Sequence, residues 1–460
     1  MTATAFSALR LDPAMLKNLA SLGYAEMTPI QAHSLPPILA GKDVIAKAKT
    51  GSGKTAAFGI GIMSGLVPTS VRVQALVLCP TRELADQVGR ELRRLARFAD
   101  NTRILTLCGG VPFGPQAGSL EHGAHVVVGT PGRLLDHLRR GTLDLASLHT
   151  LVLDEADRML DMGFQEEIDA LIAAIPAKRQ TLLFSATYPE GIAALSATIQ
   201  HQPVEVTVDE QHDEGAIEQL LFEVDQDERT AALARLLAHY RPESTLVFCN
   251  TRKQCQEVAE ALGKRGLTAL AIHGDLEQRE RDEVLVRFAN KSASVLVATD
   301  VAARGLDIKE LSAVINFELS RDPEIHIHRI GRTGRAGERG LALSLATEQE
   351  SRRVHNIETQ LGVPFPRGRI DSLSVAAGGP LAPPMVTLRI EGGRKNKMRP
   401  GDILGALTGA AGIAGSEVGK IDVFDGHACV AVLRESAQQA LACLGGNKIK
   451  GRFFKVRRIC

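Results

Sequence analysis

Short continuous runs of Val, Leu and Ile recur along the chain between stretches with apolar residues at helical spacing, in two successive blocks. The first carries "DVIAKA", "QALVLCP", "RILTLCGG", "HVVVGT", "LVLDEAD", "TLLFSAT" and "VEVTVD"; the second carries "LLFEVD", "TLVFCN", "TALAIHG", "SVLVATD", "AVINFEL" and "LALSLAT". Runs that stay apolar instead of alternating with polar residues are covered on both faces, the condition of a parallel strand with helices on either side. Two α/β domains are therefore predicted, over 1–208 and 217–363, hinged at the polar "DEQHDEGA" of 209–216. Residues 364–384 follow as a Pro-, Gly- and Ser-rich stretch without periodicity and are expected to form a linker. From 385 to 460 the order becomes "MVTLRI", helical "RPGDILGALTG", "KIDVF", "ACVAVL", helical "ESAQQALACL" and "RFFKVRRI", a βαββαβ plan.

Composition narrows the setting. At 460 residues the chain exceeds one core, and 44% apolar with 23% charged residues is ordinary for a globular protein. The start, "MTATAFSALRLDP", has no charged segment followed by an apolar one, and no run approaches the ~18 apolar residues of a membrane span. A cytoplasmic protein with no membrane partner is expected. Seven cysteines, odd in number and without a CxxC pair, argue against a zinc site or a disulfide framework. The net charge of +1 conceals an asymmetry: residues 385–460 hold 13 basic against 6 acidic residues, leaving 41 against 47 for the rest. A basic appendage on a slightly acidic body fits nucleic-acid binding, and equally a solubility feature.

The candidate chemistry starts from "LVLDEADRML", where an apolar strand stops at Asp154 and Glu155. Acids at a strand's carboxyl end lie where open α/β sheets place their ligands, although an isolated acidic pair is more often a solvated turn. Upstream, "AKTGSGKT" at 48–55 follows a strand and precedes a helical stretch, the context of a phosphate-binding loop. Gly51 and Gly53 let backbone N–H groups wrap a polyphosphate, with Thr50 and Ser52 in the same turn. Lys54 can reach the β- and γ-phosphates, and the Thr55 hydroxyl can ligate Mg²⁺. The first glycine of the general pattern is replaced by Ala48. With that loop present the acids acquire separate tasks: Asp154 holds Mg²⁺, directly or through water, and Glu155 orients or deprotonates the attacking water.

In order, the chain carries "GYAEMTPIQ" (23–31), "AKTGSGKT", "PTRELADQ" (80–87), "GG" (109–110), "TPGRL" (130–134), "DEAD" (154–157), "SAT" (185–187), "VFCNT" (247–251), "QRER" (278–281), "TDVAARGLD" (299–307) and "HRIGRTGR" (328–335). Taken together these strings resemble the DEAD-box ATP-dependent RNA helicases over about four fifths of the chain. The resemblance implies two tandem RecA-like parallel-sheet domains that use ATP and Mg²⁺ and act on RNA, with DNA not expected. Gln31 would read adenine through its carboxamide, Tyr24 or Phe6 would pack near the base or fill core, and Asp307, Arg332 and Arg335 would meet the nucleotide from the second domain. Asp157, Ser185, Thr187 and His328 would couple nucleotide state to RNA. RNA contacts fall to Arg82, Gly110, Thr130, Gly132 and Arg133, then to Thr251, Gln278, Arg281 and Thr299.

The last segment is RRM-like, yet "HACVAV" and "TLRIEG" lack the aromatics that stack bases in ordinary RRM domains. Its charge lies in "GGRKNK", with Arg394, Lys395 and Lys397, and in "KIKGRFFKVRR" (448–458), pointing to loop and edge contacts with folded RNA. A compact basic tail after a minimal core is similar to the bacterial DbpA group. That similarity implies action on a 23S rRNA hairpin in large-subunit precursors, hydrolysing ATP to separate short duplexes. An ATP-gated RNA clamp with little unwinding is the alternative.

Overall fold

The computed structural model describes residues 4–48, 51–208, 217–303, 311–334, 340–374, 382–410 and 412–459. Thr50, Asp307 and Arg335 lie outside them. The chain divides into two compact units. The first is built on the strands β1 Val44–Lys47, β2 Ala75–Leu78, β3 Ile104–Leu107, β4 Val126–Gly129, β5 Thr150–Asp154, β6 Gln180–Ser185 and β7 Val204–Thr207. All pairs are parallel, in the order β3-β4-β2-β5-β6-β1-β7. The continuous apolar runs explain this arrangement: β2, β4 and β5 are buried along their whole length, so each presents side chains to helices on both faces. Phe58, from the helix Lys54–Gly65, meets Phe184 of β6 edge to face at 5.3 Å, and both are fully buried.

The second unit carries β8 Ile217–Glu223, β9 Thr245–Phe248, β10 Ala269–Ile272, β11 Val295–Ala298, β12 Ala313–Asn316, β13 Gly340–Ala346 and β14 Arg367–Gly368. These form a second parallel sheet, in the order β10-β11-β9-β12-β13-β8-β14. The strand β14 corrects the expected linker over 364–384: its beginning belongs to the sheet. Phe365 and Leu373 are buried in the apolar clusters around β8, and Arg235 donates to the carbonyls of Asp371 and Leu373 at 3.0 Å. A two-residue edge strand leaves no apolar run in the sequence, which is why periodicity missed it.

The tail, in the same unit, adds the antiparallel sheet β16-β17-β15-β18, with β15 Met385–Ile390, β16 Val418–Val423, β17 Ala428–Leu433 and β18 Val456–Ile459. Alternation along β15 sends Val386, Leu388 and Ile390 into the tail's core with Ile403, Leu407 and Leu444. Thr387 and Arg389 alternate to the other face and are also buried, because the second domain covers them. Thr387 Oγ1 lies 2.6 Å from Ser292 Oγ and accepts from Asn290 Nδ2 at 3.2 Å; Arg389 lies 3.8 Å from Glu283. The sheet face that reads bases in ordinary RRM domains is therefore partly occupied by a neighbouring domain, consistent with its lack of aromatics.

Candidate nucleotide and RNA sites

Because β5, β6 and β1 are adjacent, the segments that leave their carboxyl ends are neighbours: "DEAD", "SAT" and the glycine-rich loop. The loop is pinned at its start by Ala48 N–H, which donates to the Ser185 carbonyl at 3.1 Å. Lys54 is buried and donates from Nζ to the Ala48 carbonyl at 2.7 Å, across the mouth of the loop. Gly53 has φ +97°, and a Cβ there would sit 2.5 Å from Gln31 Nε2 and 2.9 Å from Thr28 Oγ1, so both backbone conformation and space require glycine.

Gln31 caps a helix and holds the phosphate loop. Its Oε1 accepts from Thr28 N–H at 2.9 Å as half of a capping box on the helix Pro29–Leu39, and its Nε2 donates to the Gly53 carbonyl at 3.1 Å. With Thr28 Oγ1 donating to the Ser52 carbonyl at 2.7 Å, the "TPIQ" segment clamps the phosphate loop. Both ends of the carboxamide are thus committed to the protein here, and adenine pairing would require their exchange. Tyr24 donates from its hydroxyl to Glu91 at 2.5 Å and packs edge to face on the buried Phe6, 6.1 Å away, so this pair supports the core.

β5 ends on Asp154, and the chain then turns through Glu155 at φ 53°, ψ 52° into the helix Ala156–Asp161. A left-handed conformation at a buried non-glycine residue costs energy and clusters at functional sites. It holds Glu155 at the sheet edge, where its carboxylate ion-pairs with the buried Arg158 guanidinium. Burial pushes the Asp154 carboxyl up to about 7; the nearby Lys54 ammonium opposes that shift and the Glu155 carboxylate reinforces it. Asp157 organises the adjoining turn: its Oδ2 accepts from Ala186 N–H (3.2 Å), Thr187 N–H (2.9 Å) and Thr187 Oγ1 (2.9 Å), while Ser185 Oγ accepts from Asp157 N–H at 3.3 Å. Asp157, Ser185 and Thr187 are brought together as expected, whereas His328 belongs to the second unit, on the helix Pro323–Ile330.

The RNA candidates of the first domain share one edge. Gly110 has φ +76°, and a Cβ on it would fall 1.6 Å from Arg82 Nη1, so the guanidinium lies directly over this glycine. Arg133 donates to the Val111 carbonyl at 3.1 Å and to Gln116 Oε1 at 2.9 Å, and Thr130 occupies the N-cap position of the helix Pro131–Arg139, which contains Gly132. The 109–111 turn thereby links Arg82 to Arg133.

In the second unit, Thr251 caps the helix Arg252–Lys264 by accepting from Gln254 N–H at 3.3 Å, and the largely buried Thr299 accepts from Ala302 N–H at 3.3 Å. Gln278 and Arg281 share the helix Gln278–Ala289, where Gln278 Nε2 donates to Asp282 at 2.8 Å. Arg332 follows the helix that bears His328. Arg329, not among the candidates named from the sequence, is 1% exposed and donates to Asp300 (2.6 and 2.7 Å), Asn250 (3.1 Å), Asn316 (3.2 Å) and the Glu318 carbonyl (2.7 Å). It binds together the carboxyl ends of β9, β11 and β12. Its position inside "HRIGRTGR" and the acid directly after Thr299 were the available signals. On the tail, Arg394, Lys395 and Lys397 lie in a turn over the β16–β17 hairpin, with Arg394 N–H donating to the Phe424 carbonyl at 2.8 Å. Phe453, also not among those candidates, is 63% exposed and lies 5.6 Å under Lys448 Nζ.

A phosphate loop, an acidic strand end and a coupled serine–threonine turn on one parallel sheet, with a second such sheet following, define an ATP-driven motor of the helicase class. The chain belongs to the DEAD-box ATP-dependent RNA helicases. Residues 28–202 match the DEAD/DEAH box helicase family, 228–337 the helicase conserved C-terminal domain and 387–458 the DbpA RNA binding domain. It is 56% identical over 455 residues to the ATP-dependent RNA helicase DbpA of Escherichia coli, covering 99% of each chain. It is 46% identical over 356 residues to the DEAD-box ATP-dependent RNA helicase CshA of Geobacillus kaustophilus, covering 77% of this chain and 76% of that one. Among solved structures it is similar to S. cerevisiae Dbp5 bound to RNA and ADP BeF3, with a TM-score of 0.72, 30% identity, and coverage of 80% of this chain and 96% of the other. Among the described residues no helix is long and apolar enough to cross a membrane.

Proposed function

We propose that this helicase hydrolyses ATP to separate short RNA duplexes and that its tail directs it to a hairpin of 23S rRNA in cytoplasmic large-subunit precursors. One observation carries the reading: Lys54, Asp154 and Glu155 converge at the edge formed by β1, β6 and β5, in a chain whose basic tail matches an RNA-binding family. The likeness to a yeast protein bound to RNA and ADP BeF3 supports the use of both ligands.

Mg²⁺ fits this edge. The cation takes oxygen ligands and is usually held by one or two protein groups plus nucleotide phosphates and water. Thr55 Oγ1 and the Asp154 carboxylate are such donors, and among the described residues no cluster of three or more His, Cys, Asp or Glu offers an all-protein cage. When bound with ATP, Mg²⁺ offsets the negative charge of the β- and γ-phosphates. Lys54 then exchanges the Ala48 carbonyl for phosphate, the loop amides orient the chain of phosphates, and Glu155 accepts a proton from the attacking water. Arg332 and Arg335 supply charge to the transferring phosphoryl group, and Asp307 contacts the nucleotide. Asp157, Ser185 and Thr187, with His328, transmit nucleotide state to RNA. Arg82, Gly110, Thr130, Gly132 and Arg133, then Thr251, Gln278, Arg281 and Thr299, hold the RNA backbone; Arg394, Lys395 and Lys397 hold the hairpin.

The test is ATPase stimulation of the full chain by 23S rRNA fragments, compared with unrelated RNA and DNA of equal length. One ribosomal fragment should stimulate well above the others, and DNA should not stimulate. Equal stimulation by all RNAs would remove the ribosomal assignment while leaving the helicase assignment intact.

A further inference from the structure

The tail and the second domain enclose a half-open crevice of about 130 Å³, lined by Thr268, Arg287 and Ser292 from the domain and by Arg434, Arg458 and Ile459 from the tail. Its volume far exceeds the ~10–15 Å³ that one water needs. Three guanidinium groups border this space, and no acidic residue lines it. Arg434 and Arg458 make no ion pair with any described residue. The guanidinium groups of Arg434 and Arg458 on one opening repel each other, and an anion between them relieves that repulsion.

The walls are tied together. Thr387 bonds to Ser292 and Asn290 at buried positions, Met385 N–H donates to the Lys291 carbonyl at 3.3 Å, and Glu283 lies between Arg389 and Arg457 at 3.8 and 4.0 Å. Arg434 is aimed by its Nε donating to the Pro383 carbonyl at 2.7 Å, which leaves the outer guanidinium nitrogens for a ligand. Planar forks of this kind match the oxygens of a phosphate. Arg287 comes from the helix that also carries Gln278 and Arg281, so a ligand here touches the tail and an RNA-candidate helix together.

We propose that this crevice is a phosphate subsite, formed jointly by the tail and the second domain, that takes one backbone phosphate of bound RNA. The proposal rests on the RNA-binding reading above but not on the ribosomal hairpin, since a phosphate contact is independent of sequence. Arg434 and Arg458 are exposed, so replacing them leaves the cores intact.

The experiment compares the full chain with Arg434→Gln/Arg458→Gln, with Arg434→Lys/Arg458→Lys, and with a control of equal charge change on exposed residues away from the crevice, Lys264→Gln/Arg352→Gln. Binding of a mixed-sequence RNA duplex with a single-stranded extension is measured at several salt concentrations. Each phosphate contact contributes about 0.7–0.9 to the slope of log affinity against log salt. The glutamine pair should lower the slope by about that amount, the lysine pair should keep most of it, and the control should match wild type. In parallel, inorganic phosphate is titrated while arginine Nε–H signals are followed by NMR. A phosphate-dependent shift in wild type with an unchanged RNA slope in the glutamine pair would overturn the RNA assignment and leave a site for a free anion. No shift and no change in slope would overturn the site itself. Loss of hairpin preference in wild type would instead strike the ribosomal reading and leave this one standing.

Discussion

At Glu155 the chain accepts a left-handed backbone so that a carboxylate stands one residue beyond the strand end, beside Asp154 and within reach of Arg158. Glu155→Gln preserves shape and hydrogen-bonding capacity but removes the proton acceptor. Turnover is expected to fall ~10²- to 10⁴-fold, with Mg-ATP and RNA affinities near wild type, measured by single-turnover hydrolysis beside equilibrium binding. Near-normal hydrolysis would exclude Glu155 from the chemistry. Asp154 makes a pH prediction. Its folded-state value of about 7 lies above the ordinary 3.8, because burial disfavours its charge. The folded protein therefore holds a proton that the unfolded chain has released, so this stability is present below the unfolded value and lost as pH rises through about 7. Without ligand, the melting temperature of wild type relative to Asp154→Asn should fall between pH 6 and pH 8. If Asp154 holds Mg²⁺ as proposed, Mg-ATP should bind more tightly over the same interval. A relative melting temperature that rises with pH would contradict the buried, proton-holding state of Asp154.

Single elements hold these residues in place through packing. Phe184 precedes Ser185 on β6, is fully buried and meets Phe58 of the helix that begins at Lys54. Truncation of such a ring loses transfer free energy and leaves a cavity, typically about 3–5 kcal/mol. Phe184→Ala should shift the urea-denaturation midpoint of the first unit by a corresponding amount; a shift equivalent to under about 1 kcal/mol would mean that the sheet closes over the gap. The inner strands of both parallel sheets were legible because a strand buried on both faces is written as an unbroken apolar run, as in "VVVG" or "TLVF". β14 was not, since two edge residues such as Arg367 and Gly368 leave no pattern. Candidate site residues set by special local geometry, such as Lys54 and Asp154, were visible as motifs. Roles defined by what a side chain touches were not. Nothing in the sequence says that Gln31 clamps Gly53, that Arg329 spans three strand ends, or that Thr387 is buried against Ser292.

Across the whole molecule, charge is divided unevenly along the chain, and under the proposed function targeting and catalysis lie in different parts of it. The first 384 residues carry 41 basic against 47 acidic side chains, and the rest carry 13 against 6. The domain candidates for RNA are glycines, threonines and arginines of the kind that meet the backbone, so the core should bind RNA without reading it. Where to cut matters. Phe365 and Leu373 pack on the second sheet, so a truncation at 363 would open the apolar clusters around β8, whereas one at 374 keeps them closed. The chain ending at 374 should retain a basal ATPase that responds weakly to any RNA and should lose the preference for one ribosomal fragment. The separate tail, 382–460, should retain that preference, and reversing charge at Arg394, Lys395 and Lys397 should weaken it and flatten its salt dependence. Leu388→Ala should act differently. That side chain is fully buried in the tail's own core, so its loss should lower the melting temperature of the tail at every salt concentration and leave the salt slope of the folded fraction alone. Binding curves for the full chain, the chain ending at 374, the tail and its two variants against ribosomal and scrambled RNA, at two or more salt concentrations, separate these effects. Equal discrimination by the chain ending at 374 would move the address from the tail into the helicase core.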